Sequence, residues 1–202
     1  MPTAAKGART PWPKVDPLIR FRPGEVSLWP GANYSGKSLV TSQVALGLCQ
    51  QDEKVCIASF EMTPRKTMGR MVRQASGGPE PSLQFQKQFR DFTDGRLWVF
   101  DHMGSIAWER VVAVARYCSD KFGMTQFFID SLMKCVRGED DYNGQKAFVN
   151  DLCAVALETN MHIHLVHHTK KPGDESQKPS RYDAKGSGSI SDQVDNVFNV
   201  WR

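Results

Sequence analysis

Short apolar runs alternate along the chain with stretches whose apolar positions recur at helical spacing. Glu25–Trp29 reads as a strand, and Ser38–Cys49, with Leu39, Val40, Val44, Ala45 and Leu48 on one side, as a helix. Val55–Phe60 is a second strand and ends in Glu61. Thr63-Pro64, a capping residue followed by a first-turn proline, predicts a helix to about Ala75. Gly77-Gly78-Pro79 breaks the chain before a more polar helix near Leu83–Phe92, and Leu97–Phe100 is a strand ending at Asp101. Ser105 is the expected cap of a helix through about Lys121, with Ile106, Val111, Val114 and Ala115 on its apolar side. Gln126–Ile129 predicts a strand ending at Asp130, followed by a helix over about Gln145–Thr159. Ile163–Val166 predicts a strand running to His167 and His168, and Val194–Trp201 a final strand. Such alternation predicts an α/β fold, a mostly parallel central sheet with helices on both faces. Ligands then gather at the carboxyl ends of the strands, where Glu61, Asp101, Asp130 and His168 fall.

One turn between these elements carries specific chemistry. Gly31-Ala32-Asn33-Tyr34-Ser35-Gly36-Lys37-Ser38 satisfies the phosphate-binding pattern G-x-x-x-x-G-K-[ST], between the first strand and the helix that Leu39 continues. A glycine-rich turn opening a helix aims backbone N–H groups and the positive helix end at one anion. Residues 31–39 are therefore the expected nucleotide-binding segment of a P-loop NTPase that takes ATP, or another NTP or dNTP, with Mg²⁺. Lys37 reaches the β and γ phosphates, and the Ser38 hydroxyl ligates the metal. Asp130 is the expected second Mg²⁺ residue. The residue after it is Ser131 and not an acid, so the base that activates water must come from elsewhere. Glu61, at the end of the strand after the phosphate-loop helix, is the candidate.

These residues resemble a family. Ser59-Phe60-Glu61-Met62 with Arg70-Met71 looks like the S-x-E-M…R-M segment of RecA-like hexameric replicative helicases of the DnaB and Twinkle type. His167-His168-Thr169-Lys170-Lys171-Pro172 is similar to the strand-end segment of phage primase-helicases, and Lys185-Gly186-Ser187-Gly188-Ser189-Ile190 with Asp192 and Val194-Asp195-Asn196 to the segment that opens their last DNA-facing motif. The resemblance covers about residues 20–202. It implies that Glu61 is the catalytic base, that Lys37 and His168 serve catalysis, and that His168 senses the γ-phosphate. It implies a motor on single-stranded DNA, with Lys170, Lys171, Arg181, Lys185, Gly186, Ser187 and Gly188 on the DNA. It also implies a homo-oligomeric ring in the full-length context, with primase or other replisome proteins as partners, in a bacterial or phage-infected cytoplasm. In that family an arginine finger comes from a strand beyond the segment resembling Asp195–Arg202. A core over 21–202 that lacks the finger strand is therefore expected, either a fragment of a motor or a reduced relative.

Composition adds limits. Residues 169–188 are polar and rich in Gly, Pro, Ser and Lys, with five basic residues against three acidic ones. That suits a phosphate backbone, and a solvated loop explains it equally well. The net charge of +4 permits nucleic-acid contact without arguing for it. Five cysteines form no C-x-x-C pair, which fits a reducing compartment. No apolar run is long enough to cross a membrane. Pro2, Pro11, Pro13 and Pro17 make residues 1–20 a flexible lead-in by expectation. His162, His164, His167 and His168 suggest zinc only weakly, since no cysteine or carboxylate stands near them in sequence; packing plus one sensor histidine is the favoured reading. Two other functions stay open: a RecA- or KaiC-like ATPase in recombination or regulation, and a nucleotide-gated, non-catalytic module that binds a helicase.

Overall fold

The computed structural model describes residues 7–138, 140–169 and 188–202. In chain order the elements are β1 (Ala8–Arg9), β2 (Arg20–Phe21), β3 (Val26–Gly31), α1 (Lys37–Cys49), β4 (Val55–Ser59), α2 (Pro64–Ser76), α3 (Leu83–Thr93), β5 (Leu97–Val99), α4 (Trp108–Phe122) and β6 (Gln126–Asp130). A 3₁₀ turn (Leu132–Lys134), α5 (Tyr142–Thr159), β7 (His162–His168), α6 (Gly188–Ser191) and β8 (Asn196–Val197) complete the order.

Six strands form one sheet in the order β5-β4-β6-β7-β3-β8, and every pairing in it is parallel. The side-chain alternation of each strand divides the core into two layers. Val26 and Leu28, Cys56 and Ala58, Phe127 and Ile129, and Ile163 and Leu165 pack with residues of α4 and α5. Trp29, Val55, Ile57, Phe128 and Val166 pack with residues of α1, α2 and α3. Both faces are covered, so the strands are buried on both sides and their few polar residues, such as Ser27, His162 and His164, are buried as well. Leu152, Phe127 and Phe148 are wholly buried, and burial of each such side chain stabilises the fold by about 1.5–3 kcal/mol.

Thr63 caps α2 by accepting from Lys66 N, with Pro64 in the first turn. The cap expected at Ser105 is corrected: α4 begins at Trp108, and Ala107 is its N-cap with no side-chain bond. Ile106 N donates to Lys134 O at 2.9 Å, and this tertiary tie holds the chain extended until Ala107. Helix α5 opens three residues before Gln145, because the Asp141 carboxylate accepts from Gly144 N at 3.0 Å. The expected strand Val194–Trp201 shrinks to Asn196–Val197, although Phe198 N and Val200 N still donate to Leu28 O and Pro30 O of β3.

Within the segment expected to be a flexible lead-in, the described residues carry order. β1 pairs antiparallel with β2, and Gln51, just past α1, exchanges hydrogen bonds with the backbone of Arg9. Phe21 is buried, and Ala8, Trp12 and Ile19 pack on the same apolar layer. Pro11, Pro13 and Pro17 lie in the connection between the two short strands, where a fixed φ is compatible with the bends.

Candidate active site

Four neighbouring parallel strands deliver the site. In the sheet β4, β6, β7 and β3 lie side by side, and their carboxyl ends carry Glu61, Asp130, His168 and the phosphate loop in turn. The register sets Ser59 opposite Asp130 and Gly31 opposite His168. Hydrophobic alternation thus brings residues far apart in sequence to one edge. Asp101 follows the edge strand β5 and is exposed, outside this group.

The loop is built on two glycines. A Cβ at Gly31 would lie 2.5 Å from Val200 O and 2.7 Å from Ser35 Oγ, so no larger residue fits. Gly36, the N-cap of α1, has φ 94°, a left-handed conformation that lets the chain turn sharply into the helix. Between them Ala32 is partly covered, Asn33 is exposed, and Tyr34 projects almost wholly into solvent with φ 65°. Leu39 is half-exposed one turn further on.

Lys37 is buried, and its ammonium donates to Gly31 O at 2.8 Å and Ala32 O at 2.7 Å. Burial lowers its pKa, against the pull of the Asp130 and Glu61 carboxylates. The Ser38 hydroxyl donates to Asp130 Oδ2 at 2.7 Å, so the two expected metal residues are already in contact. Burial pushes the Asp130 carboxyl up, and the Ser38 hydroxyl is the main group opposing it. Glu61 is more open. Its Oε1 accepts from Ser131 Oγ at 3.2 Å and lies 3.4 Å from His168 Nε2, an ion-pair contact and not an aligned hydrogen bond. The adjacent His168 imidazole is the largest cause of a Glu61 pKa below the usual carboxylate range, with burial opposing it.

Two cations near the site escape a sequence reading of roles. Arg70 on α2 donates to Ser42 Oγ at 3.2 Å, and Ser42 Oγ donates to Ser38 O at 2.6 Å in the first turn of α1. Among the described residues no carboxylate lies within ion-pair distance of Arg70, burial lowers its pKa, and its charge is felt at Asp130. Lys134, half-buried in the 3₁₀ turn, helps to lower the Glu61 pKa. Arg70 stands inside a quoted motif, but an arginine on a helix ordinarily faces water, and only tertiary packing reveals it here.

His162 and His164, earlier in β7, are packing residues. His162 bonds Ser27 Oγ and Arg22 O, both at 2.7 Å. His164 bonds Gln126 and Trp29 and stacks on Phe128 with centroids 4.0 Å apart. Lys170, Lys171, Arg181, Lys185, Gly186 and Ser187, expected on DNA, lie outside the described residues, and Gly188 is the first residue of α6. Among the described residues no helix is long and apolar enough to cross a membrane.

The donor set fits a magnesium nucleotide. Ser35 Oγ is buried in the loop and has no hydrogen-bond partner among the described residues, a hydroxyl that a phosphate oxygen would satisfy. The buried Lys37 ammonium and the positive N-terminal end of α1 match a polyphosphate, and the hard oxygens of Ser38 and Asp130 match Mg²⁺.

The fold is similar to a solved structure described as an ATPase domain, with a TM-score of 0.76 at 17% identity over 90% of this chain and 71% of that one. It is also similar to a DnaB-like replicative helicase solved for its interactions with primase, with a TM-score of 0.80 at 16% identity over 98% of this chain. The chain spans 52% of that helicase. Both likenesses are in fold: a RecA-like α/β P-loop architecture, as the parallel sheet already indicated. A family described as an AAA domain matches residues 2–174, and the chain belongs to that family.

Proposed function

We propose that this chain is the ATP-binding and hydrolysing motor core of a replicative DNA helicase that acts on single-stranded DNA. The observation that carries the reading is the contact of Glu61 with both Ser131 and His168, one strand away from the Ser38–Asp130 pair. In a bare phosphate-binding loop no carboxylate would be held beside the γ-phosphate position by a strand-end histidine.

The roles follow from the chemistry. Lys37 and the N–H groups of the loop neutralise the phosphates of ATP. Ser38 and Asp130 would hold Mg²⁺, which when bound supplies Lewis-acid charge neutralisation at the phosphate oxygens. Glu61, kept ionised by its neighbours, orients the attacking water and accepts its proton. His168 at the end of β7 touches Glu61 and opens the segment from residue 169 onward, so it is suited to report the γ-phosphate to the basic residues Lys170, Lys171, Arg181 and Lys185. Assembly as a ring, and a primase or other replisome partner, are part of the same proposal; the similar DnaB-like helicase is known with primase interactions. A cytoplasmic place of action goes with it.

Steady-state ATP hydrolysis with and without single-stranded DNA tests the reading. Stimulation by DNA is the expected result, with loss of hydrolysis in Glu61→Gln. ATP binding with hydrolysis that ignores DNA would favour a RecA- or KaiC-like ATPase. Function unaffected by Glu61→Gln would favour a nucleotide-gated module.

A further inference from the structure

The residues at the strand ends form a mixed nitrogen and oxygen donor set, whereas a magnesium nucleotide calls for oxygen ligands alone. One ligand atom from each of Glu61, Asp130 and His168 lies within 4.8 Å of the others. Tetrahedral zinc with bonds of 2.0–2.1 Å places its ligand atoms about 3.4 Å apart. His168 Nε2 and Glu61 Oε1 are already 3.4 Å apart, so only the Asp130 side of the triangle has to close. Both ring nitrogens of His168 are shielded from solvent and lack an aligned hydrogen-bond partner among the described residues, which leaves the imidazole free to ligate. Each carboxylate is held by a hydroxyl, Glu61 by Ser131 and Asp130 by Ser38, the outer-shell support that orients metal ligands.

We propose that Glu61, Asp130 and His168 form a cation site, sharing Asp130 with the Mg²⁺ position, that takes a divalent transition metal such as Zn²⁺. Imidazole nitrogen suits zinc and its neighbours, whereas Mg²⁺ is served by an all-oxygen shell. Ligation would occupy the Glu61 lone pair that polarises water and fix His168 against it. The motor would then be held in a nucleotide-binding but non-hydrolysing state, since Lys37 and the loop are not ligands. The inhibitory consequence rests on the proposed ATPase reading; the site itself does not.

Cobalt(II), a spectroscopic stand-in for zinc, tests the site on the full chain without nucleotide. The expected result is visible d–d absorption of low coordination number, displaced by Zn²⁺. The affinity should fall at least about tenfold in His168→Gln and in Glu61→Gln, with circular dichroism showing both variants folded. Fluorescent-nucleotide binding in Mg²⁺ should persist when Zn²⁺ is added, while hydrolysis falls. Absence of cobalt binding, or binding of equal affinity in both variants, overturns the site. Competition of Zn²⁺ with nucleotide binding overturns the separation of binding from hydrolysis. Cobalt binding in a chain that never hydrolyses ATP leaves this site standing and removes the ATPase reading; hydrolysis in Mg²⁺ with no cobalt site does the reverse.

Discussion

Strand β7 carries histidines at both ends, and the two ends could hardly differ more. His162 and His164 sit inside the sheet, fully buried, bonded to Ser27, Arg22, Trp29 and Gln126 and ringed by Phe21 and Phe128. Burial drives the pKa of both far down, that of His162 to about 4. They are neutral aromatic fillers with satisfied polar tips. His168, at the carboxyl end of the same strand, is partly exposed and faces an ionised Glu61. One residue type therefore does two jobs along 7 residues of strand. Position relative to the sheet edge decides which job, because the interior offers fixed partners and the edge leaves room for a ligand.

This contrast can be broken most strongly at the open end. Glu61→Gln keeps the shape of the side chain and removes its basicity. Hydrolysis should fall by about 10²–10⁴, with the thermal midpoint unchanged, as measured by single-turnover kinetics beside calorimetry. At the buried end the effects reverse. His164→Ala removes a ring stacked on Phe128 and should cost about 2–4 kcal/mol in denaturant unfolding, while the folded fraction keeps its nucleotide affinity.

Acid sharpens the same contrast. His162 titrates at about 4 when folded, below its ordinary 6.5, so the unfolded chain takes up the proton that the folded one refuses. Its contribution is complete above pH 6.5 and is lost as the pH falls toward 4. Unfolding free energies from urea at pH 7 and pH 5 should differ by roughly 2 kcal/mol from this group, and His162→Gln should remove that share while the share of His164, whose pKa burial also lowers, stays. The smallest effect concerns the chain just after Glu61. Thr63→Ala deletes the cap of α2 and should cost about 1 kcal/mol. Hydrogen exchange should then loosen in the first turn of α2 and stay unchanged in β7.

The fold is largely legible in the sequence where local rules suffice. The strand–loop–helix unit over 26–49 announces itself by an apolar run, a glycine pattern and helical spacing, and the strand ends that lead to Glu61, Asp130 and His168 can be read, although that of β8 cannot. Strand order cannot, since nothing in the periodicity of β4 or β6 says that they are neighbours with Ser59 opposite Asp130. Ser105 has the right chemistry for a cap and is not one: Ile106 N is bonded to Lys134 O, and the helix begins only at Trp108. The candidate site residues Lys37, Ser38, Glu61, Asp130 and His168 are nameable, but their contacts are not. Arg70 and Lys134 acquire meaning only when tertiary packing brings their charges to bear on Asp130 and Glu61. The order in residues 8–21 escapes a sequence reading because prolines signal loops more loudly than Trp12, Ile19 and Phe21 signal a surface seeking cover.

The facing of Gly31 with His168 and of Ser59 with Asp130 has a further consequence. A strand has parity: sliding β7 by one position would turn Ile163 and Leu165 toward the opposite helices and carry His168 out of reach of Glu61 at the same stroke. The oily interior thus acts as a proofreading device for the site. A chain that misaligns its strands is rejected by its core before any chemistry is attempted. The dependence runs one way, since the residues at the rim can be exchanged without disturbing the lock beneath them. New activities can therefore be tried on this sheet edge while the alignment that supports them stays fixed.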